Sequence, residues 1–300
     1  MTPALEARDL VKAYGGFVAV RDVSLAVPTG SVFGLLGPNG AGKTTTLRML
    51  MDIIAPDRGE VLLTGRARRR EDLRRVGYLP EERGLYPKMT VAEHLVFLAE
   101  LHGLPGRRAR AASAEWLERV GLADRAKSRV EQLSKGQQQK VQLVATLLHD
   151  PELLVLDEPF SGLDPIHQGW LKEVLADHRR RGGTVLLSTH IMEHAEKLCD
   201  HLVLLSGGRA VLAGELAALK RARRGNVWRL TAAGPTERLS ALPAVERVEP
   251  VDGALRLTLR SGADGPELLR ELVSFLAVSE FRQEEPDLER IFLEAVEHAS

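Results

Sequence analysis

Gly37-Pro38-Asn39-Gly40-Ala41-Gly42-Lys43-Thr44-Thr45 decides how the rest of the chain is read. The stretch fits G-x-x-x-x-G-K-[ST], the pattern of a loop that cradles phosphate. Its glycines let the backbone turn tightly and come close to a ligand. Successive N–H groups then point into one concavity and meet phosphate oxygens, aided by the positive end of the helix that follows. Lys43 adds a full positive charge for the terminal phosphates, and the Thr44 hydroxyl can ligate Mg²⁺. Both flanks agree: Ser31 to Leu36 reads as an apolar strand, and Thr45 to Ile54 as a helix. An incidental lysine in a glycine-rich turn would require neither flank.

Upstream, the pattern predicts short strands at Leu5–Val11, Val18–Val20 and Val23–Val27, with a turn at Pro28-Thr29-Gly30. Tyr14 stands beside Gly15-Gly16 and has two readings, a half-buried strand aromatic or a stacking platform for a purine base. Downstream, Glu60–Thr64 reads as a strand. Arg66 to Arg75 reads as a solvated basic helix face, and Val76–Pro80 as a short strand entering a loop. From Thr90 to His149 the spacing turns helical, beginning with the capping box Thr90-Val91-Ala92-Glu93. This block is expected to form an inserted helical subdomain.

Apolar Glu152-Leu153-Leu154-Val155-Leu156 predicts a buried parallel strand, and it ends in Asp157-Glu158. Asp157 can reach a metal held at the phosphate loop, and Glu158 can orient or deprotonate a water. The competing reading is an acidic helix-opening turn. A second buried strand, Thr184–Thr189, ends at His190. Ligands gather at the carboxyl ends of parallel strands, so His190 is a candidate phosphate contact as well as an ordinary rim histidine. His190, His194, Cys199 and His201 match no common zinc spacing. Ser134, in Leu133-Ser134-Lys135-Gly136-Gln137, opens a helix and reads either as a plain N-cap or as an anion site.

Strands alternating with helices predict a mostly parallel sheet flanked by helices, up to a hairpin around Gly207-Gly208. Arg221, Arg223 and Arg224 mark a change of composition, which sets the expected domains at 1–220 and 221–300. The second segment reads β-α-β-β-α-β, a ferredoxin-like order.

Bulk composition narrows the function classes. Lys plus Arg and Asp plus Glu both number 41, so no net basicity points to nucleic acid. Aromatic residues make up 4%, which leaves a core of Leu, Val, Ile and Ala. A single cysteine, Cys199, excludes an intramolecular disulfide and suits a reducing cytosol. The first residues carry no signal-peptide pattern. No apolar run reaches the roughly 18 residues of a membrane span, so a membrane role is expected to need a partner.

Taken together, these motifs resemble the ATP-binding subunit of ABC transporters over about residues 4–220. Gly37–Thr45 is similar to Walker A, and Leu153–Glu158 to Walker B with its catalytic glutamate. Leu133–Gln137 is similar to the signature, with Lys135 where a glycine is usual. Ser161-Gly162-Leu163-Asp164 resembles the D-loop, His190 the switch histidine, and Tyr14 the adenine-stacking aromatic. Glu81 stands where the family usually carries a glutamine. The tail around Pro286–Leu293 resembles the C-terminal extension of sodium-exporter-like and drug-exporter-like (ABC-2 type) ATPases.

The resemblance implies an α/β fold: a P-loop NTPase with a parallel-sheet core, an N-terminal antiparallel β region, the helical subdomain at 90–149, and a small α+β C-terminal domain. It implies ATP and Mg²⁺ as ligands. Tyr14, Gly37, Pro38, Asn39, Gly40, Ala41, Gly42, Lys43, Thr44 and Thr45 would hold the nucleotide, with Thr44 and Asp157 on the metal. Lys43, Glu158 and His190 would perform hydrolysis. Ser134, Gly136 and Gln137 would act across a head-to-tail dimer, a homodimer or a heterodimer. A membrane permease at the inner face of the cell membrane is the implied partner, export the implied direction, and nucleic acid is not expected to bind. The rivals are an ABC ATPase of DNA repair or translation, against which stands the lack of a long coiled-coil insertion, and a kinase or GTPase, against which stand the signature and D-loop.

Overall fold

The computed structural model describes residues 2–82 and 84–299. The chain divides into two compact units between Glu215 and Leu216. In the first unit, β1 (Leu5–Tyr14) pairs antiparallel with β2 (Phe17–Val27), and then come β3 (Val32–Leu36) and α1 (Lys43–Leu50). β4 (Arg58–Leu63) and β5 (Arg66–Ala67) complete a four-stranded antiparallel sheet in the order β2-β1-β4-β5. The strands expected at Val18–Val20 and Val23–Val27 are one strand. β2 passes through Asp22, whose φ of 61° sits at a shift in register between Leu10↔Val23 and Lys12↔Val20. An irregularity of this kind bends a strand without ending it.

The expected helix at 66–75 is also corrected. Arg66 and Ala67 pair with Leu63 and Leu62, and only Arg70–Arg75 coils, as a 3₁₀ turn. Arg68 is drawn inward, where its guanidinium donates to the carbonyls of Met49 (2.5 Å) and Leu50 (3.0 Å) and pairs with Asp52. It thereby caps the end of α1, adding to the bond Met49 O receives from the Asp52 N–H and supplying a donor to Leu50 O, a use that a solvated helix face would not allow.

The central sheet adds β6 (Val76–Leu79). The helical block follows as α2 (Val91–Leu101), α3 (Gly106–Arg119) and α4 (Lys135–Leu147). Then come β7 (Leu153–Asp157), α5 (Pro165–Arg180), β8 (Thr184–Thr189), α6 (Met192–Leu198), β9 (His201–Ser206) and β10 (Arg209–Glu215). The order is β10-β9-β3-β8-β7-β6, all parallel except β10 on β9. β3, β7 and β8 are buried at every position, as apolar runs between two helical layers must be. The helical block has its own core, in which Leu95 (α2), Leu117 (α3) and Val144 (α4) meet, with Trp170 of α5 packed against it.

The second unit holds α7 (Leu216–Ala222), β11 (Val227–Ala233), β12 (Val245–Val251), β13 (Ala254–Leu259), α8 (Gly265–Leu272), β14 (Ala277–Gln283) and α9 (Leu288–Ala299). Its sheet runs β12-β13-β11-β14, wholly antiparallel, which is the ferredoxin-like arrangement. The expected helix at Thr236–Leu242 is a 3₁₀ segment, Thr236–Ala241, with i→i+3 bonds such as Leu242 N–H to Leu239 O (3.2 Å). So short a segment gains too few α-type bonds to offset nucleation. Its Leu239 is still fully buried with Leu230, Leu257, Leu268 and Leu272.

Candidate active site

Register brings the site together. β8 lies between β3 and β7, with Leu36 opposite Thr189 and Asp157 opposite Ser188, so the three strands end level. Whatever follows each strand faces one cleft at their carboxyl ends. The cleft measures about 500 Å³ and is lined by Tyr14, Asn39, Gly40, Gly42, Lys43, Thr44, Thr45, Glu81, Glu158, Ser161 and His190, among others.

The loop after β3 requires glycine at two points. Gly37 has φ 147° and Gly42 φ 100°, and a Cβ would fall 2.4 Å from Leu205 O at the first and 2.6 Å from Ala19 O at the second. No L side chain fits either position. Gly42 caps α1 and Lys43 is its first residue. The Lys43 ammonium is buried inside the loop. It donates to Gly37 O (2.7 Å) and Pro38 O (3.2 Å) and lies 3.3 Å from Glu158 Oε1. A buried ammonium is tolerable only when paired in this way.

Asp157 is 1% exposed. Burial pushes its pKa up, while the hydrogen bond from Ser188 pulls the other way. Ser188 Oγ donates to Asp157 Oδ1 (2.5 Å) and accepts from the Glu158 N–H (2.9 Å). Asp157 Oδ2 is buried with no hydrogen-bond partner. An orphaned carboxylate oxygen beside a threonine hydroxyl is a donor set that suits a hard divalent cation.

Glu158 has φ 47°, a left-handed conformation uncommon for its type. The turn carries its carboxylate away from that of Asp157 to a point shared by Lys43 and His190, whose Nδ1 is 2.9 Å from Oε1. Strain concentrated at a charged, buried residue is a mark of a working site. The acidic-turn reading of Asp157-Glu158 accounts for none of these contacts.

Tyr14 ends β1 at the cleft mouth, 48% exposed, so it is a half-buried strand aromatic that is also placed where a base could stack. Ser134, Gly136 and Gln137 do not line the cleft. Ser134 Oγ accepts from the Gln137 N–H (3.3 Å), and Gln137 Oε1 accepts from the Ser134 N–H (3.0 Å), a complete capping box for α4. Gln139 ties α4 to the segment after β7 by donating to Ser161 O (3.0 Å). His190, His194, Cys199 and His201 form no metal cluster among the described residues. Sequence reasoning missed Ser188 and Phe17, which also lines the cleft. A hydroxyl inside an apolar strand was the available sign of Ser188.

Residues 20–161 match the family model for the ABC transporter, and residues 214–296 match the C-terminal domain of DrrA1-3-like ATP-binding proteins. An ABC transporter ATP-binding protein of Alkalihalophilus pseudofirmus is 41% identical over 87% of this chain and 98% of its own length. The chain belongs to the ABC transporter ATP-binding proteins. Another relative of this ABC ATPase, Nod factor export ATP-binding protein I of Rhizobium etli, is 36% identical over 97% of this chain and 92% of its own length. A solved ATP-binding subunit of an ABC transporter superposes with a TM-score of 0.67 at 34% identity, over 73% of this chain and 92% of that one. The P-loop NTPase fold, the transporter ATPase activity and the ABC-2 exporter-type C-terminal domain expected from sequence all stand. The relatives favour transport over repair, translation or a kinase.

Proposed function

We propose that this ABC ATPase binds MgATP in the cleft at the ends of β3, β7 and β8, closes on a second copy of itself, and drives export through a membrane permease at the inner face of the cell membrane. The observation that carries the reading is the convergence of Lys43, Glu158 and His190 beside the orphaned Asp157 oxygen. Tyr14 stacks on the adenine. Backbone N–H groups from Asn39 through Thr45 cradle the phosphates in the loop that opens at Gly37, while Pro38, which has no N–H, shapes the turn. Thr44 and Asp157 would hold the Mg²⁺, which would supply neutralisation of phosphate charge. Lys43 turns from the loop carbonyls toward the terminal phosphates, His190 hydrogen-bonds the γ-phosphate, and Glu158 takes a proton from the attacking water.

Ser134, Gly136 and Gln137 act in trans, on the nucleotide of the other copy. Gly136 supports this. It sits inside α4, outside the left-handed region, and a Cβ there would meet only His167 Cε1 at 3.9 Å. Nothing within one copy requires glycine at this position, the second residue of α4. A phosphate approaching from outside would require it. Export is supported by the relatives named for export and by the match of the second unit. Among the described residues no helix is long and apolar enough to cross a membrane, in keeping with a separate permease.

Glu158→Gln tests the assignment. ATP binding, followed by calorimetry, should persist, and turnover in the purified complex should drop about a hundredfold or more. Equal hydrolysis by both proteins would remove Glu158 from the mechanism.

A further inference from the structure

We propose that Phe17 forms, with Tyr14, a two-ring grip on the nucleobase, so that a purine nucleoside triphosphate is held by the faces of its base. The inference rests on the reading of this cleft as the nucleotide site. β1 and β2 join at Tyr14-Gly15-Gly16-Phe17, where Gly15 has φ 58° and Tyr14 and Phe17 are cross-strand partners. Residues directly opposite on an antiparallel pair project from the same face, with Cβ atoms about 5 Å apart. Ala19, two positions beyond Phe17, shares that face. All three line the cleft that also contains Asn39, Gly40 and Lys43.

Exposure points the same way. Phe17 is 62% exposed and Tyr14 48%. A single exposed apolar side chain needs no explanation, but two aromatics on one face at the mouth of a charged cleft form a patch with an evident use. Lys12 limits what Tyr14 can do alone. Its ammonium is held by Asp57 (2.7 Å) and lies over the Tyr14 ring, 5.8 Å from the centroid. One face of that ring is thus occupied by a cation, which leaves the base the other. Phe17 supplies the second aromatic surface. Ring faces read no hydrogen-bonding edge, so adenine and guanine are served alike.

The test is calorimetric binding of ATP, GTP and inorganic tripolyphosphate, each with Mg²⁺, to the full chain and to Phe17→Ala and Phe17→Trp. Phe17→Ala should weaken ATP and GTP by about tenfold each, the scale of losing one base–aromatic stack. It should leave tripolyphosphate unchanged, and Phe17→Trp should keep wild-type affinity for all three. ATP binding unchanged in Phe17→Ala overturns the proposal. So does an equal loss for tripolyphosphate, which would mean a disturbed hairpin, and so does a loss confined to ATP, which would mean edge recognition. Failure of the wild type to bind any of the three would instead count against the cleft as the nucleotide site.

Discussion

Ser188 shows how much one hydroxyl can fix. It sits in β8, fully buried, and bonds both to the carboxylate of Asp157 and to the backbone N–H of Glu158. The two acidic residues are adjacent in sequence but point apart, and the proposed function gives them different tasks, Asp157 on a cation and Glu158 on a water. Ser188 holds the joint between them while Glu158 takes its left-handed turn. Ser188→Ala would strand a buried acceptor and a buried donor, a loss of about 1–3 kcal/mol each when unsatisfied. The expected outcome is a lower urea midpoint together with reduced turnover, and a variant matching wild type on both counts would refute this role. Sequence pattern singled out Lys43, Asp157, Glu158 and His190 as candidates, because each stands at a strand end or in a fixed pattern, and the fold places them close together. Sequence pattern did not disclose Ser188 or Phe17. Their roles depend on which strands become neighbours and which face a side chain takes, and neither is a local property.

At the scale of elements, α2 carries a testable liability. His94 is fully buried, with neither ring nitrogen hydrogen-bonded, and burial pushes its pKa down to about 4 from an ordinary 6.5. The unfolded chain therefore takes up a proton in a range where the folded chain refuses it. Stability contributed by neutral His94 is whole above pH 6.5, declines as pH falls toward about 4, and levels off below that. His94→Leu should flatten this part of the profile. Urea midpoints at pH 7 and pH 5 will check it, and a variant losing as much midpoint as wild type would contradict the assignment. The elements that sequence predicted well were those with a strong period or cap, such as α2 behind Thr90 or the buried β7. Those it misjudged were decided by partners. β2 continues past Asp22 because β1 holds both halves, and Arg68 alone of the arginine-rich stretch turns inward because α1 ends beside it.

At the scale of the whole molecule, the likeness to exporter ATPases was legible because it rests on many positions at once. What one copy does not express is the surface at the start of α4. Ser134 is exposed there and serves its own helix as a cap. Ser134→Arg should leave ATP affinity of the single copy unchanged, since the residue lies outside the cleft lining. In a Glu158→Gln background it should abolish the ATP-dependent rise in mass seen by light scattering. A dimer that forms regardless would count against the trans role of this turn.

Gly136 has a consequence for anyone engineering this chain. Its neighbours leave room for a methyl group, and alanine would leave the unfolded chain less conformational entropy to lose than glycine does. A library sorted on melting temperature or protease resistance would drift toward alanine at this position and score the change as an improvement. On the proposed trans role, the information held there belongs to a surface that only two molecules would share. Selection on one molecule at a time would erase it unnoticed.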